Sequence, residues 1–356
     1  MSTAWIDDLR LMLRLVRREP VSSATAGRGF SPKRLAGFAA SHGLSTVLLD
    51  ALERTDRREL LPPEQRQLLE DRRQARTART AVLLECLAEL DDLFRANGQQ
   101  FLLLKGPYLA VRLYGHAQAR EYADLDLLIP GNDRTAVFAM LRSAGFRERS
   151  GVLISQALTC FFVHGFDFDR GSAKLDLHWR LSRHPSLRID EAELWQQRQG
   201  FTLAGREYEV LGDEHELVFA VLSLLRDLER GSGKLKNVLD LTLLAIAVDA
   251  EIGWQSFFEH RRRERSYRAS TALLDLCLEL TDARPYAPHL AAALPERSLP
   301  GPLTSARPLQ FAPAWQGSGN KLWSARAHDC SWPAWLAWWA TSLPFRIATH
   351  RPRQRG

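Results

Sequence analysis

The chain has 356 residues, of which 45% are hydrophobic and 25% charged, a composition typical of globular proteins and unlike that of disordered or collagen-like chains. The net charge of +6 and the isoelectric point near 9.3 suit an anionic ligand such as a nucleotide, but they are too mild to predict nucleic-acid binding. No stretch approaches the roughly 20 apolar residues that a membrane-spanning helix requires.

The cysteines and the N-terminus indicate a reducing compartment. Cys86, Cys160, Cys277 and Cys330 are widely spaced and form neither a C-x-x-C pair nor a zinc-binding pattern, which predicts buried, reduced thiols. The N-terminus lacks the basic segment and apolar run of a secretory signal. These features predict a cytoplasmic protein.

The first predicted region, residues 1–98, is helical. Ser31 precedes Pro32, as a capping hydroxyl precedes a proline at the first helical position. Pro62-Pro63 begins a long segment with apolar residues at helical spacing, and Asn97-Gly98 ends it. We expect two or three packed helices here.

The second predicted region, residues 99–211, has the periodicity of strands. We predict strands at 99–104, 125–129, 158–168 and 173–179, helices at 107–114 and 134–144, and a hairpin at 201–210 that turns at Ala204-Gly205. These elements should form a small mixed sheet with helices on one side.

The third predicted region, residues 212–356, returns to helices. Asp213 and Glu216 have the spacing of a capping box, and the runs 235–248 and 268–280 predict core helices. A stretch rich in Pro, Ala and Ser, about 283–333, is predicted to be irregular. A cluster of tryptophans comes next, at Trp332, Trp335, Trp338 and Trp339. It is interpreted as a helix packed on the core, or alternatively as a membrane-interface or partner-binding segment.

Carboxylates occur at alternate positions of two predicted strands. Successive side chains of a strand point to opposite faces, so Asp124 and Asp126 share one face, and Asp176 shares a face with His178. If the two strands are neighbours, Asp176 completes a cluster of three acids that would repel one another without a divalent cation. Such a cluster suits two-metal phosphoryl chemistry, with two Mg²⁺ ions and a nucleoside triphosphate (NTP).

A possible phosphate-binding turn lies at Lys105-Gly106, where a strand gives way to a helix. Backbone N–H groups and the Lys105 ammonium could hold phosphate oxygens there. Lys105 has an alternative interpretation, as a lysine extended over apolar surface. His178 also has an alternative interpretation, as a residue that only orients Asp176 or bonds a backbone carbonyl, and it is not interpreted as a base.

Three segments together resemble a known family. Phe101-Leu-Leu-Leu-Lys105-Gly106, Arg120 ahead of Asp124-Leu-Asp126, and Lys174-Leu-Asp176-Leu-His178-Trp179 resemble the uncharacterised nucleotidyltransferase family of the DNA polymerase β-like superfamily, over about residues 30–250. The resemblance implies an α+β fold, with a small mixed sheet as the nucleotidyltransferase core between helical N- and C-terminal regions. It also implies transfer of a nucleoside monophosphate from an NTP such as ATP to an acceptor, with release of pyrophosphate.

The resemblance also implies roles for individual residues. Asp124 and Asp126 would be Mg²⁺ ligands, and Asp176 the third carboxylate, acting as the general base or, alternatively, as a third metal ligand. Lys105-Gly106 would replace the glycine-containing pair that binds the triphosphate in other members of the superfamily, and Arg120 would be a further phosphate contact. The chain departs from the family pattern at Arg226-Asp227, where relatives tend to carry a histidine.

Two other classes of function are compatible with these residues. One is a glycosyltransferase that uses an Asp-x-Asp motif to bind a nucleotide-sugar, and the other is a non-catalytic nucleotide- or partner-binding module. The sequence contains no motif that specifies the acceptor, which could be a small molecule, a peptide or a protein, and it disfavours a nucleic acid. It does not predict an oligomeric state.

Overall fold

The computed structural model describes residues 4–21, 30–149, 164–182, 187–229 and 234–295. The helices in these ranges are α1 Ala4–Val16, α2 Pro32–His42, α3 Ser45–Arg54, α4 Pro63–Ala96, α5 Gly106–Tyr114, α6 Arg134–Ser143, α7 Glu191–Gln196, α8 Asp213–Glu229, α9 Leu235–Ala247, α10 Trp254–Glu264, α11 Tyr267–Thr281 and α12 Pro288–Ala293. The strands are β1 Leu102–Leu104, β2 Leu125–Leu128, β3 Arg147–Glu148, β4 Gly165–Arg170, β5 Ala173–His178, β6 Gln199–Leu203 and β7 Arg206–Val210. The fold is α+β, as predicted.

The predicted helix signals in the N-terminal region are confirmed, but its described residues form four α-helices and not the two or three expected. The Ser31 hydroxyl accepts a hydrogen bond from the Arg34 backbone N–H, 3.3 Å away, and Pro32 is the first residue of α2. Gly43 ends that helix in the left-handed conformation, with φ of 71°. The long helix α4 begins at Pro63 and ends at Ala96, next to the predicted stop.

The strands of the described ranges form one mixed sheet in the order β3-β4-β5-β2-β1-β7-β6. β1 pairs antiparallel with β2 and parallel with β7, while β2 pairs parallel with β5. β4 lies antiparallel to β5 and to β3, and β6 with β7 forms the predicted hairpin. β2 and β5 are therefore neighbours near the middle of the sheet.

Helices cover both faces of the sheet, so the expectation of helices on one side is wrong. Leu103 and Leu127 face a core that includes residues of α4, α5 and α6. Leu102, Leu104 and Leu128 face a second core, built mainly from α1–α3 and α8–α11. β1 is apolar at every position, and its three leucines are fully buried, which only a sheet covered on both faces allows.

The predicted strand 158–168 and the predicted irregular stretch 283–333 lie only partly within the described residues. β4 begins at Gly165, and residues 158–163 of that predicted strand lie outside the described residues. The stretch 283–333 contains a 3-10 turn, Arg284–Tyr286, and the short helix α12; the part beyond residue 295, with the tryptophan cluster, lies outside the described residues. Division into domains at residues 98 and 211 stays a prediction.

Cys86 and Cys277 are buried free thiols, while Cys160 and Cys330 lie outside the described residues. Among the helices that the structure describes, none combines the length and the apolar character needed to cross a bilayer.

Candidate active site

Two acids of the predicted cluster occupy equivalent positions on adjacent strands. Asp126 of β2 and Asp176 of β5 are register partners. Leu127 and Leu177, the next residues along each strand, point to the opposite face and are fully buried. The alternation of the two strands therefore holds both carboxylates on the face that also carries Leu104, the register partner of Asp126 on β1.

His178 joins the two acids. Its Nε2 atom lies 3.2 Å from Asp126 Oδ1 and 3.2 Å from Asp176 Oδ2, and its side chain is fully buried. One donor atom from each of these three residues lies within 4.8 Å of the other two. Two carboxylates and an imidazole at this spacing fit the donor set of a divalent cation.

Burial and neighbouring charges shift the pKa values of Asp126 and His178. Burial raises the pKa of Asp126, but the Lys105 ammonium, His178 and Arg226 outweigh it and hold that pKa below its ordinary value. Burial lowers the pKa of His178, but the Asp176 and Asp126 carboxylates outweigh it and raise it to about 9. At neutral pH, an imidazolium therefore lies between two carboxylates.

Asp124, the third predicted acid, lies one residue before β2 and is half-buried. Burial and the charges of Asp126 and Asp176 raise its pKa to about 6, against the opposing effect of Lys105 and Lys236. Among the described residues, Asp124 does not belong to the group whose donor atoms all lie within 4.8 Å of one another. It interacts electrostatically with the cluster, and its role as a metal ligand stays a prediction.

The Lys105-Gly106 turn adjoins the cluster. Both residues have positive φ, 42° and 40°, and α5 begins at Gly106. Lys105 Nζ lies 3.9 Å from Asp126 Oδ1 and 4.4 Å from the centre of the Phe219 ring of α8. The ammonium thus contacts both a carboxylate and an aromatic face, beside the N-terminus of a helix.

Arg120 contacts an acid of α9. It is 4% exposed, and its guanidinium donates to Asp240 Oδ2 at 2.9 Å from Nε and 2.7 Å from Nη2. The Tyr114 hydroxyl donates to the other oxygen of Asp240 at 2.7 Å. Arg120 therefore forms a buried ion pair that fixes α9 to the segment before Asp124, and its role as a phosphate contact stays a prediction.

A comparison with protein families identifies the chain. The model of a family described as uncharacterised nucleotidyltransferase matches residues 29–282, more than half of the sequence. The chain belongs to this family. Among curated proteins, none matches it.

One solved structure is similar to this family member. It is a crystal structure of an antigenic nucleotidyltransferase-like protein from Paracoccidioides brasiliensis, with 15% sequence identity. The similarity covers 62% of this chain and 91% of the other, with a TM-score of 0.30.

Sequence reasoning missed Gly165, which lies on β4 opposite His178. A Cβ atom at this position would lie 2.7 Å from the Leu177 carbonyl oxygen and 3.2 Å from Asp176 Oδ1 and from His178 Nδ1. Only glycine lets β4 lie this close to the cluster. A glycine inside the predicted strand 158–168 was the available signal, but its significance depends on the pairing of β4 with β5.

Glu216 also differs from its predicted role. The capping box is not formed, because Asp213 is already helical and its carboxylate contacts Arg112 at 2.6 Å. The Glu216 side chain is fully buried, and neither of its oxygens has a hydrogen-bond partner among the described residues. Burial raises its pKa to about 7, against the opposing effect of Arg112 and Lys105. This family member therefore buries a titratable acid beside the Lys105 turn.

Proposed function

We propose that this protein transfers a nucleoside monophosphate from an NTP to an acceptor, with release of pyrophosphate, in a reaction that depends on Mg²⁺. The observation that carries the proposal is the convergence of Asp126, Asp176 and His178 beside the Lys105-Gly106 turn, in a chain that belongs to a nucleotidyltransferase family. A site with acids at its centre and a cation at its edge suits a metal-bound triphosphate.

The donor set decides which cation to test. Asp126 and Asp176 would hold a divalent cation, with Asp124 as a further ligand, and His178 would add a nitrogen donor once the cation displaces the proton from its Nε2 atom. Carboxylate oxygens suit Mg²⁺, whereas an imidazole ligand suits Mn²⁺ or Zn²⁺ better. When bound, the cation would neutralise charge on the triphosphate and on the leaving pyrophosphate. The number of ions, two in the sequence-based prediction, belongs to this proposal.

The chain's own residues have separate roles in the proposed reaction. The Lys105 ammonium and the first N–H groups of α5 bind phosphate oxygens. Asp176, whose side chain is 25% exposed, is accessible to an acceptor hydroxyl and takes its proton as general base. His178, fully buried between the two acids, keeps their carboxylates in place and does not contact the acceptor.

Calorimetry of NTP binding tests the proposal. We expect ATP, or another of the four common NTPs, to bind in the presence of Mg²⁺ or Mn²⁺ and not after chelation. Asp126→Asn should abolish this binding and the release of pyrophosphate. The control Asp92→Asn, at a position 63% exposed on α4, should leave both unchanged.

Other outcomes would support the alternative functions. If no NTP binds, the proposal fails, and nucleotide-sugars become the ligands to test for a glycosyltransferase. If an NTP binds without release of pyrophosphate for any acceptor, the non-catalytic module is favoured. The base is tested separately, because a pH–rate profile unchanged in Asp176→Asn would remove Asp176 from that role. Cytoplasmic localisation remains a sequence-based prediction.

A further inference from the structure

Two basic side chains contact the segment that leads into Asp124. The Arg79 guanidinium of α4 donates from Nη2 to the Ala123 carbonyl oxygen, 2.8 Å away. The Lys236 ammonium of α9 donates to the Glu121 carbonyl oxygen at 2.7 Å. The Lys236 charge also opposes the rise in the pKa of Asp124, an effect that falls off with distance and so requires the two groups to be close together. Both cations therefore adjoin the candidate active site.

The same segment contacts the predicted phosphate-binding turn. A Cβ atom built on Gly106 would lie 3.8 Å from a ring carbon of Tyr122 and 3.9 Å from the Asp124 carbonyl oxygen. Residues 121–124 therefore touch the turn as well as the two cations. Together with the Lys105 ammonium, this arrangement places three positively charged groups around the start of α5.

Neither of the two cations forms an ion pair in the described part of the chain. Both side chains are half-buried, and their hydrogen bonds go to the two backbone carbonyls. The Arg79 Nε atom is buried and has no partner among the described residues. Burial and the charge of Arg120 lower the pKa of Lys236 to about 8, against the attraction of nearby acids. A charge taken out of water without an opposite charge is costly, so an anion supplied by a ligand would stabilise both cations.

Lys236 also lies in the first turn of a helix. α9 begins at Leu235, and its first turn contains no acidic residue. The N-terminus of a helix carries partial positive charge, which disfavours a cation there and favours an anion. The helix therefore adds to the positive potential of the two side chains at the same place.

The end of the triphosphate is the part of the proposed substrate that matches these charges. A triphosphate carries more negative charge than one divalent cation and the Lys105 ammonium neutralise. The α-phosphorus, at which the bond is exchanged, has to lie at the acid cluster, so the terminal phosphate extends away from it. Guanidinium and ammonium groups form strong, charge-assisted hydrogen bonds with phosphate oxygens.

We infer that Arg79 and Lys236 bind the γ-phosphate of the NTP, and that this contact selects NTPs over nucleoside diphosphates and nucleotide-sugars, whose phosphate chains are shorter. The inference rests on the NTP-dependent transfer proposed above. The cation and the Lys105-Gly106 turn hold the α- and β-phosphates, and the two basic side chains hold the third phosphate.

Nucleotides with phosphate chains of different length test the contact. The NTP that binds to the wild type is compared with its diphosphate by calorimetry in the presence of Mg²⁺. We expect the NTP to bind about tenfold more tightly or better, and Lys236→Met and Arg79→Gln each to weaken NTP binding about tenfold, because each removes a charge-assisted hydrogen bond. Binding of the diphosphate should not change, which also shows that the variants are folded. Lys236→Arg, which keeps the charge, should retain most of the preference for the NTP.

The chain offers a matched control for each variant. Arg72 lies on the same face of α4, two turns before Arg79, and donates to the Ala40 carbonyl oxygen at 3.2 Å. Lys234 immediately precedes α9 and donates to the Ser41 carbonyl oxygen at 3.1 Å. Arg72→Gln and Lys234→Met therefore remove the same charges and similar hydrogen bonds away from residues 121–124. Both should leave the affinities for the NTP and the diphosphate unchanged.

The possible results separate this inference from the proposed transfer. Equal affinity of the wild type for the NTP and its diphosphate overturns the γ-phosphate contact, even where metal-dependent NTP binding succeeds. Equal weakening of both ligands by Lys236→Met and Arg79→Gln, or equal weakening of NTP binding by the two control variants, overturns it as well.

Inorganic tripolyphosphate is a probe that contains no nucleoside. If it binds and loses affinity in Lys236→Met and Arg79→Gln, while no NTP binds, the two cations form a polyphosphate site and the proposed transfer fails. If its affinity is the same in the wild type and in both variants, the two cations are not phosphate contacts.

Discussion

Asp126 and Asp176 are register partners on the parallel strands β2 and β5, and the same nitrogen of His178 lies 3.2 Å from an oxygen of each. Their proximity is built into the hydrogen bonding of the sheet and does not depend on a loop. A site held by strands in this way is preorganised before any ligand binds.

Replacement of Gly165 should disturb this arrangement. In Gly165→Ala the new methyl group would overlap the Leu177 carbonyl oxygen and crowd Asp176 and His178, so we expect a loss of about 1–3 kcal/mol in the free energy of unfolding, with weaker metal binding. Urea unfolding measures the loss. Gly200→Ala on β6 is the control, because the nearest atom to its Cβ is 3.9 Å away. Equal losses in the two variants would contradict this explanation.

Removal of only one partner of the Arg120–Asp240 pair should strongly destabilise the protein. Asp240→Leu leaves a buried guanidinium and the Tyr114 hydroxyl without their partner, and we expect a loss of about 3–5 kcal/mol in the free energy of unfolding. The double variant Arg120→Met/Asp240→Leu should recover much of it, because no unpaired charge stays buried. A double variant less stable than Asp240→Leu would be evidence against a simple ion pair.

Glu216 should make stability depend on pH. Its pKa is about 7 in the folded protein, above the ordinary value of 4.5, so between these pH values the folded state holds a proton that the unfolded state has lost. Stability therefore falls as pH rises from about 4.5 to 7, by about 3 kcal/mol in total. Glu216→Gln should melt at a higher temperature than the wild type at pH 8, with a much smaller difference at pH 4.5. A difference independent of pH would show that Glu216 does not titrate in this range.

Substitutions at Lys105 should separate binding from backbone strain. Its φ of 42° and ψ of −131° are costly for any residue with a side chain, by about 1–3 kcal/mol. Lys105→Gly and Lys105→Ala both remove the ammonium, so both should lose NTP affinity. Glycine should give the higher melting temperature, the reverse of the usual order of these two residues in ordered structure. If neither variant loses NTP affinity, Lys105 is not one of the phosphate contacts.

Much of the fold follows from local sequence signals. Some signals determine the conformation of only the few residues beside them. They are the cap at Ser31, the prolines that begin α2 and α4, and the turn at Ala204-Gly205. Strand positions could be predicted from apolar runs such as 102–104. The coverage of both sheet faces by helices could not be predicted, because it depends on the packing of helices from distant parts of the chain.

The candidate site divides in the same way. The alternation around Asp126 and Asp176 predicts which face each carboxylate occupies, but their adjacency required the pairing of β2 with β5, which no local pattern encodes. The partner of Arg120 is 120 residues away, and the charges that act on Glu216 include those of Arg112 and Lys105, in a distant part of the sequence. Each of these interactions is long-range, so local patterns such as the capping-box spacing of Asp213 and Glu216 could not predict them.

The packing of α1 against α11 has a consequence for synthesis on the ribosome. The Arg10 guanidinium donates to the carbonyl oxygens of Glu279 and Leu280, 3.3 Å away in each case, and Leu9 and Met12 lie in the same core as Leu273. At about 5–20 residues per second, the 270 residues that separate these partners take roughly 15 to 55 s to translate. The apolar face of α1 can pack against α3 early in synthesis, but the part of it that α11 covers stays exposed in the nascent chain until the C-terminal helices emerge.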